Sequence, residues 1–374
     1  MSVKQLTSQF PARPAIRRIE ALDLFKFLVL FFMIQGHLFR AYLVGPIRQA
    51  HWYRIHEALH GIVAPAFLFA AGFAAFLSYT NKKEQYLHLG SAFFVRLRRI
   101  LFIICLGYWI HLPFFSLRKT VKHLGQGTAE EFLKVNILQC IGVGLLLFTL
   151  TAVLLKKQKI IVAASALFSL AFFLAPPLVH KLHIGYIIDF YLDYRVSLFP
   201  LFPWAGFLFA GILCAYGYSL LEQELFFKLA LIIGIVFFPW YFLFKSTIRA
   251  ELTLQGNLTK FGGIFLLLWF SHWLVRVGGR WVKVLIRAGK ESLFVYVLHL
   301  FIIFGSAFKH GLNVRFKNSL YVHDAVLLCL AVQLLVFSLA LFYHELKEKH
   351  SFTWRILFYL FWLVFFTLFI LRRF

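Results

Sequence analysis

The sequence predicts an all-α polytopic membrane protein, a bundle of about 10–11 transmembrane helices. Three observations carry this. First, 61% of the 374 residues are hydrophobic and 19% aromatic, while 14% are charged. Second, mean hydropathy is +0.80; soluble domains sit nearer half apolar and a quarter charged. Third, the apolar residues surround each segment, whereas a soluble helix keeps them on one face.

Eleven apolar segments follow one another, at 22–43, 58–79, 99–116, 135–155, 159–180, 197–220, 226–245, 260–276, 290–308, 320–343 and 353–371. Each is close to the ~20 residues a helix needs to cross the hydrocarbon core. Backbone groups in lipid must pair within the segment, so helices are the available solution. The first segment opens on Asp23 and Lys26 and carries His37 and Arg40 near its far end. The second ("APAFLFAAGF") and the sixth ("FPLFPWAGFLFAG") are punctuated by Pro and Gly, which break the backbone ladder or permit close packing. The third ends near His111, the fourth starts with Asn136 and Gln139, the ninth holds His299 and the tenth opens on His323 and Asp324. The last ends in Arg372 and Arg373, and reads as peripheral.

The formal net charge of +24 would suggest nucleic acid in a soluble chain. Here the Lys and Arg flank apolar segments, where they meet lipid phosphates and set topology. No basic stripe interleaved with aromatics stands in a polar domain, which argues against nucleic acid. With the N-terminus in the cytoplasm, Lys4, Arg13, Arg17 and Arg18 fall inside. So do Lys82, Lys83, Arg96, Arg98, Arg99, Lys156, Lys157, Lys159, and a loop with Arg276, Arg280, Lys283 and Arg287. Arg118, Lys119 and Lys122 fall outside, so the bias favours this orientation without forcing it. Cys105, Cys140, Cys214 and Cys329 lie far apart inside apolar runs, as buried thiols do. The first 20 residues are polar and basic, unlike a cleavable signal. The outer connections 44–57, 117–134, 181–196 and 246–259 are too short for a soluble domain. Residues 1–374 therefore read as one integral-membrane domain in a bacterial-type cytoplasmic membrane.

Ionisable groups at membrane depth are costly and mark a functional site by default. On this topology His37, His60, His111, Asn136, Gln139, Trp204, His299, His323 and Asp324 converge on the outer half of the bundle. They suggest a polar pocket opening outward, lined by imidazoles suited to moving protons near neutral pH. The bland reading stands beside it: a lone histidine in a span more often bonds a neighbouring helix. His56 and His60 are four residues apart beside Glu57, a spacing that could suit zinc. No cysteine or further carboxylate pattern supports a metal. The Arg96, Arg98 and Arg99 cluster could hold phosphates of a nucleotide-bearing donor, but such clusters are more often topological.

"RIEALDLFKFLVLFFMIQGH", "PAFLFAAGFAAFLS", "VNILQCIG", "FPLFPWAGFLFAG" and "GKESLFVYVLH" occur in that order. Together they resemble the heparan-alpha-glucosaminide N-acetyltransferase-like family, within the wider superfamily of transmembrane acyltransferases. The family-like patches run over 18–308, with extra helices at 320–371. The resemblance implies an acyltransferase that takes an acyl group, most simply acetyl, from cytoplasmic acyl-CoA and passes it to an extracytoplasmic sugar or similar acceptor. Acyl-CoA would be a co-substrate, with no permanently bound cofactor; a homodimer is left open. The family's catalytic histidine lies fourteen residues before its helix proline, and counting back from Pro65 gives His51. Counting fourteen from Asp23 gives His37, where the family has a polar side chain. The resemblance likewise places Gln139 on the family's Leu-Gln pair and His299 on its late-helix histidine.

There are departures. The family's Asp-x-x-Arg-Gly is Asp23, Lys26 and Phe27 here, and a family Asp is Gly61. Lysine keeps the charge but loses the planar fork. The expected site is then His51 as base with His37 as its partner. Asp23, Lys26, His60, Asn136, Gln139, Trp204 and His299 would hold donor or acceptor. The rival reading is a proton-coupled transporter or permease, with His37, His299 and Asp324 as relay. Against it stands the lack of repeated halves. A scaffold role would leave the polar cluster without a purpose.

Overall fold

The computed structural model describes residues 18–179, 181–182, 184–240, 253–307 and 309–372. Lys4, Arg13, Arg17 and Arg373 lie outside the described residues, as does the 241–252 portion of the seventh segment and its loop.

Among the described residues thirteen main helices run in chain order, most of them on the apolar segments. They are α1 (Glu20–Tyr42), α2 (His51–His60), α3 (Val63–Asn81), α4 (Ser91–Ile110), α5 (Ile137–Leu155), α6 (Gln158–Leu174), α7 (Leu201–Leu220) and α8 (Gln223–Phe237). Then come α9 (Leu254–Val277), α10 (Arg280–Lys290), α11 (Ser292–Ile303), α12 (Val322–Lys349) and α13 (Ser351–Leu371). Among the described residues, seven helical stretches are long and apolar enough to cross a membrane, with α2 and α3 counted as one 31-residue stretch. The chain is an all-α, multi-pass integral membrane protein.

Several connections differ from the sequence reading, among them the outer ones that hold the short helices Leu117–His123 and Tyr186–Leu192. Residues 45–49 and 51–57 are helical, where an outer loop was expected. The run 280–290, expected as a loop, is an amphipathic helix. The ninth segment is shorter than expected. It ends at Ile303 and turns into a two-residue strand pair, Gly305–Ser306 with Lys309–His310.

Small residues set the closest helix crossing. A Cβ at Gly72 would land on the Leu208 carbonyl, and one at Gly211 on the Phe69 carbonyl. So α3 and α7 touch backbone to backbone, as small residues allow in membrane bundles. Around them pack α6 on α7, α5 on α4, and α8 on α9. Helix α1 runs through the middle and meets α3, α9, α10, α11 and α12. Its ends are both fastened. At one end Asp23, 2% exposed, takes ion pairs from Arg18 (2.6 Å) and Lys26 (2.7 Å). That hydrogen bond holds the Arg18 guanidinium above its usual range. At the other end the Tyr42 hydroxyl donates to the Ile303 carbonyl (2.9 Å), and Leu43 bridges Leu320. Helix α13 is peripheral as expected: only 6% of its apolar window is buried.

Candidate functional site

At the Tyr42 end of the bundle, α1, α2, α3, α7 and α9 surround a cavity of about 480 Å³. His37, His60, Arg40, Glu57 and Trp204 line it, with Thr259, Lys260 and Tyr296. The lining reaches no farther towards Asp23 than Met33 on α1 and Tyr296 on α11.

A row of imidazoles follows one wall. The rings of His299 and His37 lie nearly parallel with centres 5.2 Å apart; His37 to His60 is 6.1 Å, and His60 to His56 is 6.2 Å. Each position has a local cause. His56 and His60 are four residues apart on α2, so they share a face. His60 lies against Gly36, where any Cβ would overlap its ring. His299 is fully buried, and its Nδ1 sits 3.0 Å from the Val295 carbonyl one turn back. A carbonyl only accepts, so that nitrogen carries the proton. In the neutral ring His299 Nε2 is then an acceptor, and it lies 3.1 Å from His37 Nδ1. His37 Nδ1 therefore donates, and His37 Nε2 keeps its lone pair. A single helix carbonyl thus fixes the tautomers of two histidines. His60 Nε2 and His56 Nδ1 are buried and find no hydrogen-bond partner among the described residues.

Charge flanks the row. Arg40, one turn beyond His37, pairs with Glu57 (2.5 Å), which also accepts from the Tyr53 hydroxyl (3.0 Å). Across the cavity the Lys260 ammonium stands 5.6 Å from the centre of the Trp204 indole, within cation–π range. No three His, Cys, Asp or Glu side chains are grouped as a metal ion would need among the described residues.

The expected site residues divide. The structure brings His37, His60 and Trp204 together on the cavity, with His299 behind His37. It does not bring the others there. His51 is exposed in the first turn of α2 and is not part of the lining. Asp23 and Lys26 pair with each other at the opposite end of α1. Asn136 and Gln139 form a capping box: Asn136 Oδ1 accepts from Leu138 N (2.8 Å), and Gln139 Oε1 accepts from Asn136 N (3.1 Å). That closes the N-terminus of α5, and the neighbouring Ile137 lines the cavity instead. His323 and Asp324 are exposed and pair with each other. Tyr53 and Tyr296 were not singled out from sequence, and Arg40, noted beside His37 at the far end of the first segment, was not assigned to the site. Arg40 was findable, because it follows His37 by three residues and so shares its face.

The geometry is that of a cavity with an oriented imidazole in its wall, and one comparison says which proteins share its scaffold. The family model described as heparan-alpha-glucosaminide N-acetyltransferase, catalytic, matches residues 18–245, more than half of the chain. The chain belongs to the heparan-alpha-glucosaminide N-acetyltransferase catalytic family. It is thereby a member of a family of membrane acetyltransferases. No curated protein matches it. The matched stretch holds α1 through α8, and with them His37, His51, His60 and Trp204. His299 lies beyond the matched stretch, so the group that sets the tautomer of His37 comes from outside it.

Proposed function

We propose that the protein moves an acetyl group from acetyl-CoA to an amine or hydroxyl of a sugar-like acceptor seated in the cavity. His37 serves as general base. The observation that carries this reading is the His299–His37 hydrogen bond, in a chain of a membrane acetyltransferase family. It leaves Nε2 of His37, a residue that lines the cavity, as the ring nitrogen able to accept a proton. In the reaction the acceptor gives its proton to that nitrogen as its N or O bonds the thioester carbon. The C–S bond breaks and the sulfur leaves with the electron pair. Acid–base help of this kind is worth roughly 10²–10⁴-fold. Trp204 and Tyr296 supply flat walls for the acceptor, with Thr259 and Lys260 for its polar groups. The donor would approach from the Asp23 end, read as the cytoplasmic one. Its thioester has to arrive beside Met33 and Tyr296, where the lining stops.

A second base stays in play because the family pattern singles out His51. That residue is exposed on α2, and serving as base would require α2 to shift. The test is transfer of radiolabelled acetyl from acetyl-CoA to glucosamine by protein in nanodiscs. His37→Ala should lower the rate by ~10²-fold or more, with His51→Ala within a few-fold of the parent. The reverse ranking would give His51 the role. Equal, full activity in both variants would remove the histidine mechanism altogether.

A further inference from the structure

Helix α10 joins two apolar helices, yet it is unlike either. Its sequence is RWVKVLIRAGK. Val282, Ile286 and Gly289 recur at helical spacing and are buried. They pack on Leu24 and Phe27 of α1, and Gly289 touches the Asp23 carbonyl so closely that a Cβ would overlap it. The opposite face carries Arg280, Lys283 and Arg287, all exposed, with Trp281 (55% exposed) and Val284 beside them. The neighbouring cations are neutralised: Arg276 pairs with Glu224 at 2.9 Å, and Lys347 with Glu291 at 2.8 Å. Arg280, Lys283 and Arg287 face no acidic side chain among the described residues. The run 276–290 holds no Asp or Glu at all.

A helix this polar on one side cannot lie in the hydrocarbon core. It follows Gly278–Gly279, which end the apolar α9, and it sits level with Asp23, at the end of α1. That is the depth of the headgroups, where a cationic face flanked by tryptophan meets lipid phosphates. We propose that α10 is a binding surface for anionic phospholipid headgroups, gripped by Arg280, Lys283 and Arg287 with Trp281 at the acyl boundary. Because the other face of α10 packs against α1 beside Asp23, bound lipid braces the end of the helix that carries His37. This inference does not depend on the acetyl-transfer reading.

The experiment is native mass spectrometry of the purified full chain, titrated with phosphatidylglycerol and, separately, phosphatidylcholine. The parent should retain phosphatidylglycerol selectively. The variant Arg280→Gln, Lys283→Gln, Arg287→Gln should weaken that binding by about 100-fold, from three headgroup contacts, and leave phosphatidylcholine unchanged. Lys156→Gln, Lys157→Gln, Lys159→Gln removes as many cations and should cost far less. Equal losses in the two triple variants, or no loss in the first, would overturn the proposal. Displacement of phosphatidylglycerol by adenosine 3′,5′-bisphosphate would also overturn it, by assigning the face to the phosphates of the donor. Should the α10 variant not fold, Trp281→Phe answers alone. Brominated phosphatidylglycerol should quench the emission that Trp281 contributes to the parent; no difference between parent and variant would sink the idea.

Discussion

An imidazole acts as a base only through the nitrogen that lacks a proton, so the tautomer of His37 decides whether it can serve the cavity. His299→Leu removes the acceptor facing His37 Nδ1. We expect acetyl transfer to fall by roughly 10–100-fold, as for other lost orienting partners. His299→Gln should recover part of it, because an amide oxygen can accept the same proton; a leucine and a glutamine variant of equal rate would contradict the orienting role. Gly36→Ala tests the next ring along. The added methyl would overlap His60, so the ring must leave its place between His37 and His56. Transfer should drop, and ¹⁵N shifts of labelled His60 should move while those of His299 stay. At this scale the sequence was only partly legible. The individual histidines stood out as polar residues in apolar runs. That His37 meets His299, 262 positions away, had no local trace. Asn136 and Gln139 were visible too, but their three-residue spacing is the signature of a capping box. Their side-chain oxygens accept from the backbone at the start of α5, and Asn136 Nδ2 donates to the Gly107 carbonyl of α4.

Helices were the most legible level, because hydrocarbon thickness sets their length. What escaped was any helix whose purpose is not to span. The 280–290 run read as a charged connection because its cations dominate. Its buried valine, isoleucine and glycine at positions 282, 286 and 289 are the helical signal beneath them. Residues 51–57 likewise read as loop, since the ten-residue helix they open is too short to cross. Helix contacts also explain the glycines of the second and sixth segments. Gly72→Val would push α3 off the Leu208 carbonyl. Overpacking of this kind costs about 1–3 kcal/mol. Thermal unfolding in detergent should show a lower midpoint, and an unchanged midpoint would mean that the two helices can separate freely.

Across the whole molecule, segments far apart in sequence are stitched together at the Asp23 end. Glu291, 7% exposed between α10 and α11, accepts from His344 (2.8 Å) and Lys347 (2.8 Å) on α12. Removing the acid leaves two donors facing a buried amide. Loss of a buried pair costs ~3–5 kcal/mol, and the partial exposure of Lys347 puts Glu291→Gln at or below the low end of that range. A melting temperature within a degree of the parent would show that α12 does not rely on this tie.

The two fastenings of α1 have a mechanical consequence. A helix pinned at Asp23 and again at Tyr42 and Leu43 cannot slide or tilt without breaking an ion pair at one end or a backbone bridge at the other. It behaves as a tent pole. His37 therefore keeps a fixed height in the bundle, and any breathing that admits a bulkier guest falls to other parts of the lining, such as Gln255, Thr259 and Lys260 of α9. On the proposed reading, acceptor size would be tuned on α9, while α1 holds the His37 ring still.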